Sequence, residues 1–452
     1  LVRALASTMS APETIAAIAT PPGTGGIGIL RISGPDALAI GEAISASKLE
    51  PGLIQFRRFL DADGETIDHG LCLYFRAPHS FSGEDSVELQ AHGGAIVLDM
   101  LLERLCALGA RLARAGEFSE RAFLNGRLDL TQAEAIADLI ESGSRAASRA
   151  AMRSLEGRFS ERVNALVDEI IELRAYVEAA LDFAEEEIDF LEDSGVDQRL
   201  GRCTEHLREL LDQAEQGRSL QEGLTVALAG LPNAGKSSLL NYLAGYEAAI
   251  VTDIEGTTRD VLREQLSLKG IPVRISDTAG LRDTDNPVEQ EGVRRAWKAI
   301  EQADAVLYLV DSTRGLVDAD RRIIGDLPTG KLQLVYSKCD LAARDRDRED
   351  AAIDVSVVSG EGMELLIQRI TGQVADLNQD NQAFMARRRH VEALRLALGS
   401  VSQARETLAA TRSGELIAED LRGAQRQLNE ITGEFTSDDL LGRIFSSFCI
   451  GK

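Results

Sequence analysis

No stretch of this 452-residue sequence approaches the roughly 18 uninterrupted apolar residues that a membrane-spanning helix requires, so no helical membrane protein is expected. The opening Leu1-Val-Arg-Ala-Leu-Ala-Ser-Thr has one Arg and too brief an apolar run for a secretory signal. Residues 1–8 read instead as an upstream extension, with Met9 as the start of the first domain. Cysteine is scarce: Cys72, Cys106, Cys203, Cys339 and Cys449 are scattered, odd in number and never spaced C-x-x-C. That pattern argues against a disulfide framework and a structural zinc site, and points to a reducing cytoplasm. Cations are outnumbered, with 49 Lys and Arg against 73 Asp and Glu and a net charge of −24. Non-specific nucleic-acid binding is chiefly neutralisation of phosphates by cations. Most of the surface is therefore expected to repel RNA, and an RNA partner would need a local basic patch or another subunit to hold it.

What is present is enough for several cores, because a chain of this length exceeds what one hydrophobic core usually organises. The hydrophobic content of 44% and charged content of 27% are ordinary for a globular protein. Residues 9–126 mix short β-branched runs with Gly and Pro punctuation and a helical stretch near Ala95, an α+β pattern. Over 127–221 Gly and Pro become rare and apolar residues recur at three and four, the signature of long helices. Strand and helix signals alternate over 222–375, as in a doubly wound parallel sheet, and 376–452 returns to helical composition. The fold class expected is thus multidomain: an α+β N-terminal domain, a discontinuous all-helical domain, and an α/β domain inserted between the helical halves.

The strongest chemical signal lies in the inserted domain. Gly230-Leu-Pro-Asn-Ala-Gly235-Lys236-Ser237 follows the apolar run Leu224 to Ala229 and opens a helical pattern, Ser238 to Leu243. This is a phosphate loop: its glycines let backbone N–H groups turn toward phosphate oxygens, Lys236 adds a point charge near the β- and γ-phosphates, and the Ser237 hydroxyl suits Mg²⁺. Asp277-Thr278-Ala279-Gly280 ends a second apolar run, placing a carboxylate where it reaches Mg²⁺ through water and a Gly N–H near the γ-phosphate. Between them, Gly256-Thr257-Thr258 offers a second metal hydroxyl, Thr258. Ser337-Lys338-Cys339-Asp340 stands where base-reading loops carry Asn-Lys-x-Asp. There Asp340 would accept the two adjacent donors of guanine, and Ser356-Val357-Val358 would add backbone N–H groups. Ser337 replaces the usual Asn, and the shorter hydroxyl is expected to make fewer bonds to loop and base. After Gly280 comes Leu281, which cannot orient water as the Gln of signalling GTPases does. Asp283, Asp285, Glu289 and Glu291 are the candidates for that role, and the charge of an arginine finger also needs a source.

With these residues in place, the chain resembles the tRNA-modification GTPase family of MnmE/TrmE type. The marks outside the phosphate loop are Ala19-Thr-Pro-Pro-Gly23, Gly28-Ile-Leu-Arg31-Ile-Ser-Gly34, His79-Ser-Phe-Ser-Gly-Glu-Asp85, Glu88-Leu-Gln-Ala-His-Gly-Gly94, Gly116 through Leu130, and the terminal Cys449-Ile-Gly-Lys452. The resemblance implies a GTP-hydrolysing enzyme that installs an aminomethyl or carboxymethylaminomethyl group on the wobble uridine of tRNA, using a folate-borne one-carbon unit. It implies an N-terminal domain of tetrahydrofolate-binding type that also dimerises the chain. Partners implied are an FAD-containing subunit, in a heterotetramer, and tRNA held mainly by that subunit. It extends the nucleotide contacts to Asn233, Ala234, Ser238, Thr252, Asp253, Ile254 and Glu255. It implies K⁺ on Asn233 with backbone oxygens of Thr252, Ile254 and Thr257, standing in for the arginine finger, and it puts the water-orienting carboxylate on Glu289. Arg31, Glu88, Arg127 and Lys452 match positions that contact a 5-formyl or 5,10-methylene tetrahydrofolate, with Arg127 in place of a frequent Lys. Cys449 matches a cysteine the modification needs, as nucleophile, acid or structural element. The competing expectation is a regulatory GTPase switch in ribosome assembly or signalling, which would need neither Cys449 nor a folate pocket.

Overall fold

The computed structural model describes residues 13–182, 195–246, 263–269, 271–277, 287–342, 352–375, 383–434, 438–446, 448 and 450–451. They divide into two compact units, one of Leu1–Ala137, Ser154–His206 and Leu396–Lys452, the other of Asp138–Arg153 and Leu207–Arg395. No helix among the described residues is long and apolar enough to cross a membrane.

In the first unit, strands β1 (Ile15–Ile18), β2 (Gly25–Ser33), β3 (Ile54–Leu60), β4 (Thr66–Phe75), β5 (Ser86–Gly93) and β6 (Arg111–Leu112) form one sheet in the order β3-β4-β5-β2-β1-β6. Neighbours run antiparallel except β1 and β6. Period-two alternation turns Leu30, Ile32, Val87 and Leu89 to one face, where the Ala37–Ser45 and Ala95–Ala107 helices cover them with Ile40, Ile44, Leu98, Leu101 and Leu105. The opposite face carries a smaller apolar cluster, Ile15 and Ala17 with Ala113 and Phe118, and there the register sets Arg31 directly across from Glu88. Farther along the chain, the Arg158–Asp182 and Gly414–Thr432 helices lie antiparallel: Gly414 abuts Leu181, and Arg422 pairs with Glu178 at 3.3 Å. The second helix forms because Ile417, Leu421, Ala424, Leu428 and Ile431 recur at three and four and make a single buried stripe. It stops at Gly433, whose φ of 92° is left-handed.

In the second unit, β7 (Leu224–Ala229), β8 (Arg263–Leu268), β9 (Ile271–Asp277), β10 (Ala305–Asp311), β11 (Leu332–Ser337) and β12 (Ile353–Asp354) are ordered β12-β11-β10-β7-β9-β8. All pairings are parallel except the β8–β9 hairpin at one edge. Strands here are apolar on both sides because helices cover both faces. Val226, Leu228, Leu307 and Leu309 face Leu239, Leu243, Leu366 and Ile370, while Ala227, Ala229, Val306, Tyr308 and Val310 face Ala296, Ile300 and Leu327. The alternating strand and helix signals over 222–375 correspond to this three-layer arrangement.

The helix pair of the first unit yields a direct comparison. Leu421→Ala, in the buried stripe, should lower unfolding stability by about 2–5 kcal/mol. Leu416→Ala, on the same helix but 56% exposed, should change it by less than about 0.5 kcal/mol. Urea unfolding followed by circular dichroism measures both, and equal losses would contradict the assigned face.

Candidate functional site

The sheet of the second unit reverses its direction of winding at β7, which lies between β9 on one side and β10 on the other. Ligands of open α/β sheets bind beyond the carboxyl ends of strands at such a switch point, and Gly230 to Gly235 occupy that place. Gly230 has φ 141°, and a Cβ there would run into the Leu309 carbonyl oxygen; Gly235 has φ 90°. Asn233 also sits in the left-handed region at φ 64°, a conformation Asn tolerates better than most residues. The helix Lys236–Tyr246 begins directly after, so its positive end faces the loop's mouth. Lys236 Nζ folds back over the loop and donates to the carbonyls of Gly230 at 2.8 Å and Leu231 at 3.2 Å. Ser237 and Ser238 are exposed on the first turn, and Ala234 is buried.

The base-reading segment is fastened to that loop. Ser337 ends β11, 6% exposed, and its hydroxyl donates to the Ala234 carbonyl at 2.7 Å, with the Val310 carbonyl farther off at 3.3 Å. Short as it is, the serine side chain keeps one bond to the loop, because it is buried directly beneath Ala234. Lys338 follows at φ 57° and its Nζ donates to the Asn233 carbonyl at 3.0 Å and to Asp311 Oδ2 at 2.6 Å. Asp311, at the carboxyl end of β10, was not singled out by sequence, although a lone acid closing an apolar parallel strand is a usable signal. Burial pushes its pKa up, but the hydrogen bonds from Lys338 and Thr313 outweigh that and hold it down at about 2. The Asp340 side chain is exposed, on the short helical turn Cys339–Leu341. Ser356 is fully buried; its hydroxyl accepts the N–H groups of Val358 and Ser359, each at 3.2 Å, and shapes the turn containing Val357 and Val358. Cys339 N–H donates to the Val355 carbonyl at 3.2 Å, tying the two turns together.

Asp277 ends β9 opposite Leu228 of β7, and Glu289 lies in the first turn of the Pro287–Gln302 helix; the side chains of both, and of Glu291, are outside the described set. Thr252, Asp253, Ile254, Glu255, Gly256, Thr257, Thr258, Thr278, Ala279, Gly280, Leu281, Asp283, Asp285, Cys449 and Lys452 likewise lie outside the described residues.

A second polar site lies on the sheet of the first unit. Arg31 Nη2 is 2.8 Å and Nε 2.9 Å from Glu88 Oε1, and the guanidinium lies 5.3 Å from the Phe81 ring centre and 5.8 Å from that of Phe118. The two rings are contacts the sequence did not point to, although Phe81 lies inside the quoted 79–85 motif. That loop is held by a hydroxyl knot: Ser33 Oγ meets Ser82 Oγ at 2.6 Å and donates to Glu84 Oε2 at 2.8 Å, while Arg121 reaches the same oxygen at 2.9 Å. Asn125 donates to the Ser82 carbonyl at 2.8 Å. Arg127 is exposed, and its stem packs beside Gly83, where a Cβ would lie 3.1 Å from Arg127 Cγ. Phe448, Ile450 and Gly451 bring the chain's end to this sheet. Ile450 bridges Ala115, a Cβ on Gly451 would strike the Ile18 carbonyl, and Ile18 adjoins Ala17, the register partner of Arg31. The structure thus gathers Arg31, Glu88, the 79–85 loop with Arg127, and the residues flanking position 449.

Beneath this site Glu117 is buried. Burial raises its pKa, but hydrogen bonds from Arg111, from the Arg114 N–H and from Arg121 prevail and bring it to about 2. A folded-state pKa below the ordinary value of 4.5 stabilises the fold above about pH 4.5, and the contribution disappears as pH falls from there toward about 2. Thermal unfolding at several pH values should show this loss in the wild-type protein, and Glu117→Gln should be less stable at neutral pH with a shallower acid dependence. An acid dependence unaltered by the substitution would contradict the assignment. At the phosphate loop, Gly230→Ala should weaken nucleotide binding by at least about tenfold, since both its φ and the Leu309 carbonyl oppose a side chain. Unchanged affinity by calorimetric titration would refute that geometry.

Two family models match this sequence, one described as GTP-binding protein TrmE N-terminus over residues 14–127, the other as MnmE helical domain over residues 130–449. Curated relatives called tRNA modification GTPase MnmE include that of Pseudomonas paraeruginosa strain PA7, 54% identical, with 98% of this chain and 100% of the relative covered. That of Legionella pneumophila strain Corby is 51% identical, with 97% and 99% covered. Among solved structures, the G domain of the T. maritima FeoB iron transporter is 27% identical over 33% of this chain and 97% of that one, at a TM-score of 0.27. From its N-terminal sheet to its last helix, the chain belongs to the MnmE family of tRNA modification GTPases.

Proposed function

We propose that this chain hydrolyses GTP and, with an FAD-containing partner subunit, modifies C5 of the wobble uridine in tRNA using a folate-borne one-carbon unit. The observation that carries this reading is full-length membership of the MnmE family together with a phosphate loop fastened to a base-reading loop that ends in Asp340. The proposed division is an N-terminal domain over 9–126, helical halves over 127–221 and 376–452, and a GTPase domain over 222–375.

In the GTPase domain, backbone N–H groups of Asn233, Gly235 and the first turn of the following helix, with the Lys236 ammonium, hold the phosphates, and Asp340 takes the guanine N1–H and N2–H donors. The exposed Ser237 hydroxyl, with Thr258, suits Mg²⁺. Asn233 suits K⁺: it is exposed and its carbonyl is occupied by Lys338, so the side-chain oxygen remains to turn toward a cation, with Thr252, Ile254 and Thr257. A monovalent cation there supplies positive charge where charge develops between β- and γ-phosphates. Glu289 orients the water that Leu281 cannot.

In the N-terminal domain, Arg31 and Glu88, joined by Arg127 and Lys452, form the folate site. The paired guanidinium and carboxylate present donors and an acceptor side by side, and the Phe81 ring, 36% exposed, borders them with apolar surface. That combination fits a planar heterocycle with a charged tail. Docking of Ile450 and Gly451 against the same sheet supports a role for Cys449 near that site. The assembly proposed is a homodimer paired with the flavin subunit in the cytoplasm. The net charge of −24 accords with tRNA being held mainly by the partner.

Two measurements test the reading. GTP hydrolysis should be markedly faster in KCl than in NaCl, and equal rates would sink the Asn233 assignment. Cys449→Ser should keep GTP hydrolysis while wobble-uridine modification disappears from cellular tRNA. An unchanged nucleoside profile would favour a regulatory switch.

A further inference from the structure

The geometry points to a guanine site in which position 337 ties the base loop to the phosphate loop and gives nothing to the base, so that purine N7 goes unread. The inference rests on the guanine reading given above and deepens it. Around the rim of guanine run two donors, N2–H and N1–H, and then two acceptors, O6 and N7. Asp340 matches the donors. Ser356 is fully buried, its hydroxyl accepting the N–H groups of Val358 and Ser359 inside the turn, so the donor presented to O6 is the Val357 N–H, which has no acceptor among the described residues. N7 then requires a donor from the end of β11.

A serine has one O–H to give. Ser337 gives it to the Ala234 carbonyl at 2.7 Å, and the only second acceptor in range among the described residues is another protein carbonyl, that of Val310 at 3.3 Å. The residue is 6% exposed, and Gly235 faces it, with a Cβ there coming 3.5 Å from Ser337 Oγ, so the hydroxyl is enclosed on the protein side. The neighbouring cation is anchored elsewhere: Lys338 Nζ gives two of its three N–H groups to the Asn233 carbonyl and to Asp311, which hold it on the phosphate loop and the end of β10. A carboxamide in the same place has two N–H groups, one for the tether and one left over. Serine therefore preserves the mechanical half of the usual asparagine's role and drops the half that touches the nucleotide. N7 is common to guanine and adenine, so the choice of guanine is unaffected and stays with Asp340 and the Val357 N–H. What changes is affinity.

Calorimetric titration of the full chain with GDP, ADP and 7-deaza-GDP, in which N7 is replaced by C–H, tests this. The wild-type protein should bind GDP and 7-deaza-GDP within about twofold of each other. Ser337→Asn should bind GDP about three- to tenfold more tightly, the range of one hydrogen bond, and should lose that gain with 7-deaza-GDP. Ser337→Ala, which removes the tether, should weaken both nucleotides alike. A threefold or larger preference of the wild-type protein for GDP over 7-deaza-GDP overturns the inference, and this arm decides even where a variant fails to fold. Failure to prefer GDP over ADP overturns the guanine reading beneath it, and the inference with it.

Discussion

A phosphate loop has to turn its N–H groups inward, and its carbonyls are thereby turned toward the protein, where each needs a donor. In this chain side chains supply many of these donors, beside the Ala234 and Leu239 N–H groups that serve Leu231 and Gly235. Lys236 serves the carbonyls of Gly230 and Leu231, Lys338 that of Asn233, and Ser337 that of Ala234. Two of the three come from the end of β11, about a hundred residues away in sequence, so satisfying the loop and placing the base-reading turn are the same event. Asp311 completes the arrangement by neutralising Lys338 from the end of β10. The phosphate and base subsites are consequently one body, and the spacing between them is set by the pairing of β7, β10 and β11.

The N-terminal unit uses related physics for another end. One face of its sheet carries Arg31 and Glu88, neighbours across β2 and β5, whose guanidinium and carboxylate are paired, with the guanidinium set against Phe81 and Phe118. Charges so placed are tolerable because each is paired and hydrogen-bonded. The hydroxyl knot of Ser33 and Ser82 and the Glu84–Arg121 contact fix the 79–85 loop over them. Gly116 and Gly451 let the chain's last residues approach β1 and the turn before Glu117 more closely than any side chain would permit. The proposed hydrolysis and the proposed one-carbon chemistry thus fall in separate units.

Much of this was legible in the sequence, for identifiable reasons. Glycines at 230 and 235 announce a backbone conformation by themselves, and apolar runs buried on both faces announce a parallel sheet covered by helices. The stripe at Ile417, Leu421, Ala424 and Leu428 announces its helix by period. Arg31 and Glu88 were legible as residues of a family motif, while their direct pairing was not, since register between strands depends on pairing of the whole sheet. The Phe81 contact and the serine knot were missed for the same reason: contacts between distant segments leave no local spacing to read, whereas Asp311 closes an apolar strand visibly and only its pairing with Lys338 was hidden. Ser337 shows what side-chain length alone leaves out: burial beneath Ala234 gives the short hydroxyl a bond to the phosphate loop.

The central claim is that the fastened phosphate loop drives tRNA chemistry performed elsewhere in the assembly. It is tested most directly by the nucleoside composition of tRNA from cells whose sole copy of this protein carries Lys236→Ala. With the protein present at its normal level, the account predicts wobble uridine left unmodified at C5. Full modification in the absence of GTP hydrolysis would contradict it.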